Sequence, residues 1–260
     1  MKKKPLPPST QAAAVITGAG SGIGRSFAYE VARRGGSVLC VDIDAERAEQ
    51  VASNLRALGN HAIAQQCDVG DQAQMESLAE NAESLLGRPV TLLINNAGVA
   101  GDPIKFLETG EQDWYHIIET NLNGAWRVAQ AGAQHMVRGA AGGSIVNIGS
   151  VYGVHTGALK AAYNVSKTGV VQLTKSMAIE LCRKNIRVNA LCPGWFLTDI
   201  NSDYFQTESG ERYIKTIPAQ RLGTVDDLSV PLLLLSSRSA GGYMNGAVLT
   251  VDGGLAESPV

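Results

Sequence analysis

Tyr163 stands four residues before Lys167 in "YNVSK", and Ser150 lies thirteen residues upstream of the tyrosine. On a helix, side chains four apart are neighbours, so a phenol and an ammonium are brought together by local geometry alone. For a phenol with an ordinary pKa near 10 to act as a general base at neutral pH, that pKa has to fall by roughly 3 pH units, about 4 kcal/mol. A unit positive charge at about 4 Å in an effective dielectric near 20 supplies on the order of 4 kcal/mol. One lysine is enough on this reading. The hydroxyl of Ser150 would hydrogen-bond a substrate oxygen and hold it beside the phenol. Tyr-x-x-x-Lys also arises by chance in helices, so the pair acquires meaning only from the elements that position it.

Seven short apolar runs qualify as strands: "AAAVITG", "SVLCVDI", "HAIAQQCDV", "TLLINNAG", "GSIVNIGS", "IRVNALCPG" and "AVLTVDGG". They lack strict alternation, as expected when both faces of a parallel sheet are covered. Between them lie stretches of helical periodicity such as "GRSFAYEVARRGG" and "DAERAEQVASNLRALG", several ending on glycine. Alternating strand and helix predicts an α/β chain with a single-domain, doubly wound Rossmann-type fold, a seven-stranded parallel sheet with helices on both faces. The domain is expected over residues 12–260, preceded by a flexible Pro-rich arm over 1–11. The polar segment 197–224, rich in aromatics and without strand character, reads as a substrate lid. Ligands of such sheets bind outside the carboxyl ends of the strands.

At those ends the sequence places a nucleotide. "TGAGSGIG" follows the first strand and opens a helix, with Gly18, Gly22 and Gly24 flanking Ser21 and Ile23. Such a turn cradles a pyrophosphate on a helix N-terminus. Asp42, eighteen residues past Gly24 and followed by Ile43, is placed to accept hydrogen bonds from the adenosine ribose hydroxyls. Its charge would repel a 2′-phosphate, and neither Ala19 nor Ile43 compensates, so NAD is expected over NADP. Asp68 and Val69 are assigned to the adenine edge, and Asn95, Ala97 and Gly98 of "NNAG" to a ribose. Asn121, in "ETNLNG", is a polar residue on an otherwise apolar helix face. It either faces solvent or binds water or backbone and relays protons from the lysine.

Composition excludes other classes. A net charge of −2 gives no footprint for nucleic acid. The longest leucine run, residues 232–235, is far too short for a membrane span. Without an apolar signal segment the chain is expected to be cytoplasmic. Four cysteines, Cys40, Cys67, Cys182 and Cys192, have no metal-ligand spacing and are read as buried small hydrophobes, with no metal expected.

In order along residues 12 to 254, "TGAGSGIG", "DV" at 68, "NNAG", Asn121, Ser150, "YNVSK", "PGWFLT" and "VDGG" resemble the short-chain dehydrogenases/reductases of the 250-residue subclass. That resemblance implies a tetrad of Asn121, Ser150, Tyr163 and Lys167, with Tyr163 as acid/base and Lys167 also holding the nicotinamide ribose. It implies that Pro193, Gly194, Phe196 and Thr198 contact the nicotinamide, and that the chain is a homotetramer joined through the helices bearing Asn121 and Tyr163. The implied reaction is NAD-dependent interconversion of a secondary alcohol and a ketone. The sequence is similar to gluconate 5-dehydrogenases, which favours a sugar acid or polyol, and also to 3-oxoacyl-carrier-protein and broad carbonyl reductases. Candidate carboxylate partners are Arg212, Lys215, Lys160 and His155, and Lys105, Arg127 and Arg138 would serve a carrier protein. A non-catalytic NAD-binding sensor or scaffold is the alternative from a different class. Two departures stand out: Gly149 precedes Ser150 where many relatives carry a second serine, and Pro231 should kink the helix opened by "TVDD" or delay its start.

Overall fold

The structure, a computed structural model, describes residues 12–139, 141–199 and 201–257. The arm expected over 1–11 lies outside the described residues. Seven strands form one parallel sheet: β1 (Ala13–Thr17), β2 (Ser37–Asp42), β3 (Ala62–Gln66), β4 (Leu92–Asn95), β5 (Gly143–Ile148), β6 (Ile186–Pro193) and β7 (Val248–Val251). Their spatial order is β3-β2-β1-β4-β5-β6-β7. The chain winds outward from β1 in one direction, then returns to β4 and winds in the other. The crevice therefore opens between the carboxyl ends of β1 and β4.

Both faces of the strands are used, which is why the apolar runs do not alternate. Ala14 and Ile16 of β1 with Val38 and Cys40 of β2 turn to one core, packed by Phe27 and Val31 of α1 (Gly22–Arg33), Leu55 of α2 (Ala45–Ala57) and Leu232 of α9 (Ser229–Ser236). Ala13 and Val15 with Leu39 and Val41 turn to the other, against Met75 and Leu78 of α3 (Gln72–Leu86), Val128 and Met136 of α5 (Ala125–Arg138) and Ala178 of α6 (Ala161–Leu181). The remaining helices are α4 (Glu111–Ile118), α7 (Ser202–Phe205), α8 (Glu208–Ile214) and α10 (Arg238–Gly241).

Segment 197–224 contains α7 and α8, and a bridge between Phe196 and Gly223 joins its two ends. Pro231 does not kink α9. The capping residues form a short 3₁₀ turn over Val225–Leu228, and α9 starts after it, with the proline as its third residue, where no helical N–H is missed. Three cysteines are buried as expected, but Cys182 is exposed, because it begins the turn after α6 instead of ending a strand.

The ends of β1 and β4 are tied by one side chain. The hydroxyl oxygen of the fully buried Thr17 accepts from the amides of Asn96 at 3.0 Å and Ala97 at 3.1 Å. Thr17→Val, which preserves shape, would strand both N–H groups and should lower stability by roughly 2 to 4 kcal/mol. Urea denaturation checks this, and a loss below 0.5 kcal/mol would show that the two bonds do not hold the loop.

Candidate active site

The strand ends open into a cavity of about 980 Å³ lined by residues of β2, β5 and β6, of the turns that follow β1, β3 and β4, and of the N-terminus of α1. That is the upper range for a small-molecule site. Every catalytic and cofactor-binding residue expected from the sequence lines it except Asn95 and Asn121.

On the β1 side, α1 differs from its neighbours. Asp44 and Asp71 cap α2 and α3 by accepting from backbone amides, whereas Ser21, the N-cap of α1, makes no capping bond. The N-terminal amides and the positive end of the helix are thus left for an anion. The turn before them is held tight, since a Cβ on Gly24 would fall 2.0 Å from the Gly18 carbonyl oxygen. These features fit the pyrophosphate of a dinucleotide. Asp42 is fixed next door, its carboxylate accepting from the amides of Gly20 at 2.8 Å and Asp44 at 3.1 Å. Ile43 lies exposed beside it, and the Asp68 carboxylate accepts from Gly70 at 2.8 Å, holding the turn that carries Val69.

The NNAG segment is displaced by one residue from the sequence expectation. Asn95 is buried and turned away from the cavity, donating to the carbonyl of Ala125 at 2.7 Å and to Asn147 at 3.2 Å. Asn96 lines the cavity in its place and donates to the carbonyls of Thr17 and Gly18. Successive side chains of a strand point to opposite faces, so at the last residue of β4 a shift of one changes the destination.

Asn121 belongs to a π-helical turn, Glu119–Gly124, inserted between α4 and α5. It is 1% exposed. Its amide pairs with one residue, accepting from Val99 N at 2.7 Å and donating to Val99 O at 2.8 Å, and also donates to Ser166 Oγ at 3.2 Å. The solvent-facing alternative does not hold. Every polar atom of the side chain is spent on the protein, and its work is to hold the loop after β4 against α6. Gly98 of that loop lies between Asn121 Oδ1 and Lys167 Nζ. Ser166, which donates back to the carbonyl of Tyr163 at 2.8 Å, is a part of the site that the sequence did not single out.

Lys167 is buried and donates to the carbonyl of Ile148 at the end of β5, at 3.0 Å. Its Nζ sits 5.8 Å from the centre of the Tyr163 ring. Burial lowers its pKa from 10.5 to about 8. Burial also raises the pKa of Tyr163, with the Ser150 hydroxyl pulling the other way. This reverses the expectation that one ammonium suffices to acidify the phenol. The lysine is seated over the ring and tied to a carbonyl, and withdrawal of the phenol from water is the larger influence on it. In the free protein Tyr163 is a proton donor. Ser150 Oγ accepts from the amide of Tyr152 at 3.1 Å, which fixes the hydroxyl beside the Tyr163 phenol.

The glycine before Ser150 has a reason. A Cβ at Gly149 would come within 2.7 Å of Cys192 Sγ, so the sulfur occupies the volume that a second serine would need. The thiol is inert, its pKa pushed up to about 11 by burial.

The candidate carboxylate partners are not at the cavity. Arg212 pairs with Glu208 at 2.8 Å, and Lys160 donates to the carbonyls of Ala100 and Gly101. Lys215 is exposed, and neither it nor His155 lines the cavity. Of the carrier-protein set, Lys105 pairs with Glu108 and Arg127 with Glu119, which leaves little basic surface. Residues that do line the cavity and were not foreseen include Asn201 and His116. No cluster of metal-ligating side chains occurs among the described residues.

Because an unfolded chain returns Lys167 to 10.5, it binds more protons than the folded chain between pH 8 and 10.5, and stability from this site rises with pH there. Lys167→Met removes that slope. Measured by urea denaturation, the stability of the wild type relative to the variant should rise across this window by up to about 3 kcal/mol, other groups cancelling. A flat or falling difference would contradict the burial of a charged amine.

A family model described as short chain dehydrogenase matches residues 12–209. L-rhamnose 1-dehydrogenase (NAD(P)(+)) of Azotobacter vinelandii is 38% identical over 93% of this chain and 95% of its own. The 7alpha-hydroxysteroid dehydrogenase of Escherichia coli is 35% identical over 93% and 92%. A crystal structure of gluconate 5-dehydrogenase from Burkholderia cenocepacia, in complex with NADP and tartrate, superposes with a TM-score of 0.89 at 33% identity, covering 95% and 96% of the two chains. With the ordered motifs, the parallel sheet and the Tyr163–Lys167 pair all in place, the chain belongs to the short-chain dehydrogenase family.

Proposed function

We propose that this oxidoreductase transfers hydride between NAD(H) and a secondary alcohol or ketone carbon, with Tyr163 exchanging the proton on the substrate oxygen. The observation that carries the proposal is the meeting of Ser150, Tyr163 and Lys167 on the wall of the same cavity as the uncapped helix α1 and Asp42. Bound there, the nicotinamide supplies or accepts the hydride. Gly18, Ser21, Gly22, Ile23 and Gly24 would hold the pyrophosphate. Asp42 would hold the adenosine ribose, Asp68 and Val69 the adenine, Ala97 and Gly98 the second ribose, and Pro193, Gly194, Phe196 and Thr198 the nicotinamide. Asn96 replaces Asn95 in that set.

In the ketone direction, the protonated phenol donates to the carbonyl oxygen while Ser150 holds that oxygen in place. In the alcohol direction, the phenol must first lose its proton, and the positive charge of Lys167 lowers the cost of the resulting phenolate. Of the three donors on the lysine, one is committed to Ile148, which leaves two for a ribose and for relay of the proton outward.

The carboxylate of Asp42 supports NAD over NADP, because a 2′-phosphate would face a fixed negative charge. Arg47, the nearest cation along the chain, is engaged with Asp44 at 3.1 Å. Segment 197–224 serves as a lid, fastened to α1 by the Arg25–Asp199 pair at 2.6 Å. Trp126 on α5 with Val165 and Ile179 on α6 are exposed apolar side chains on the helices that would build a cytoplasmic homotetramer. No helix among the described residues is long and apolar enough to cross a membrane.

Two measurements test the reading. Tyr163→Phe should cut kcat by roughly 10² to 10⁴ while NADH binding, followed by fluorescence, stays within twofold. Unchanged turnover would remove Tyr163 from the chemistry. Catalytic efficiency should favour NAD over NADP by at least about tenfold, the effect of some 1.4 kcal/mol, and Asp42→Ala should erase most of that ratio. Equal or better efficiency with NADP in the wild type would end the argument from Asp42.

A further inference from the structure

The wall of the cavity formed by the residue after Gly194 is an indole whose polar edge is already spent. Trp195 Nε1 donates to the hydroxyl of Tyr213 on α8 at 2.9 Å, and that hydroxyl shares a second hydrogen bond of 3.3 Å with the hydroxyl of Tyr152. The rings are set edge to face. Trp195 lies 5.5 Å from Phe205, 5.7 Å from Tyr213 and 6.5 Å from Tyr152, with interplanar angles of 76°, 78° and 86°. Tyr152 in turn meets the ring of Tyr163 at 6.4 Å and 88°. One phenol, Tyr213, thus joins the 197–224 segment to the core and fixes the tilt of the indole.

With its N–H satisfied inside this cluster, Trp195 has no donor to offer a substrate, and what it can present is its face. An aromatic face is electron-rich and favours the weakly positive C–H edges of a saturated ring. Charge points the same way. Lys167 and His116 are the only basic side chains among the residues lining the cavity, and Lys167 gives one of its donors to the carbonyl of Ile148. No arginine and no second lysine lines the cavity to receive a substrate carboxylate beside the phenol. Asp42, Asp68 and Glu119 add negative charge to the lining.

We infer that Trp195, held by Tyr213 and Tyr152, is the platform that selects the substrate, and that the site takes a neutral saturated six-membered ring bearing the secondary alcohol or ketone instead of an open-chain acid. The inference rests on the oxidoreductase reading above. Tyr213 and Tyr152 are positioning residues. They act through the indole and touch neither the reacting carbon nor its oxygen.

The test is steady-state kinetics followed by NADH absorbance with cyclohexanol, L-rhamnose, 2-butanol and gluconate, on the wild type, Trp195→Leu and Tyr213→Phe. The wild type should use at least one of the two rings with kcat/KM at least tenfold above gluconate and 2-butanol. Trp195→Leu should collapse that ratio to within about twofold. Tyr213→Phe, an isosteric change that keeps the fold if the larger substitution does not, should raise KM for the ring severalfold while kcat falls much less. Preference for gluconate or 2-butanol, or a ratio unaltered in both variants, overturns the platform and leaves the oxidoreductase reading standing. A wild type that binds NADH but turns over none of the four overturns both.

Discussion

The constraint on which the site depends is the burial of an ammonium. Taking Lys167 out of water is costly, and the fold meets that cost only partly, with a single carbonyl at the end of β5 and an amine pKa drawn down to about 8. For the lysine to reach that carbonyl, α6 has to lie close against β5 and β6, and the loop after β4 has to close over it from the other side. The π-helical turn supplies this closure. Its extra residue re-aims Asn121 at the backbone of Val99 and at Ser166 together, so that one amide joins β4, α4–α5 and α6 around the lysine. Such insertions are often found at functional sites.

The same crowding explains the sequence around Ser150. With β5 and β6 in register from Gly143 opposite Ile186 to Ile148 opposite Leu191, Cys192 arrives beside Gly149, and only one of the two positions can carry a larger side chain. Tyr163 is only partly exposed beside this packing, and its withdrawal from water favours the protonated phenol. Proton donation in the free protein is therefore a consequence of packing. Turning the same phenol into a base requires a further positive charge in the cavity, which an oxidised nicotinamide would bring.

Much of this was legible in the sequence because it depends on local spacing. Strand period, the Gly-rich turn, Asp42 at the end of β2 and the four-residue step from Tyr163 to Lys167 are each set by a few neighbouring residues. What was not legible depends on tertiary contact. The choice between Asn95 and Asn96 is a matter of which face the last strand residue takes, and the role of Asn121 depends on a π turn that no periodicity announces. The capture of Lys160 by two loop carbonyls, and the Trp195–Tyr213–Tyr152 cluster, join residues far apart in the chain. The direction of the phenol shift was missed because a Coulomb estimate at a fixed distance leaves out desolvation, which acts on both partners and here prevails.

The central claim is that Tyr163 is held protonated by burial and becomes a base only when positive charge enters the cavity. It is tested most directly by ¹³C NMR of tyrosine labelled at Cζ, with Tyr163→Phe identifying the resonance, titrated against pH with and without NAD+. The account predicts a phenol that titrates above the ordinary 10 in the free protein and at lower pH once NAD+ is bound. A free-protein value below 10, or one that NAD+ leaves unmoved, would contradict it.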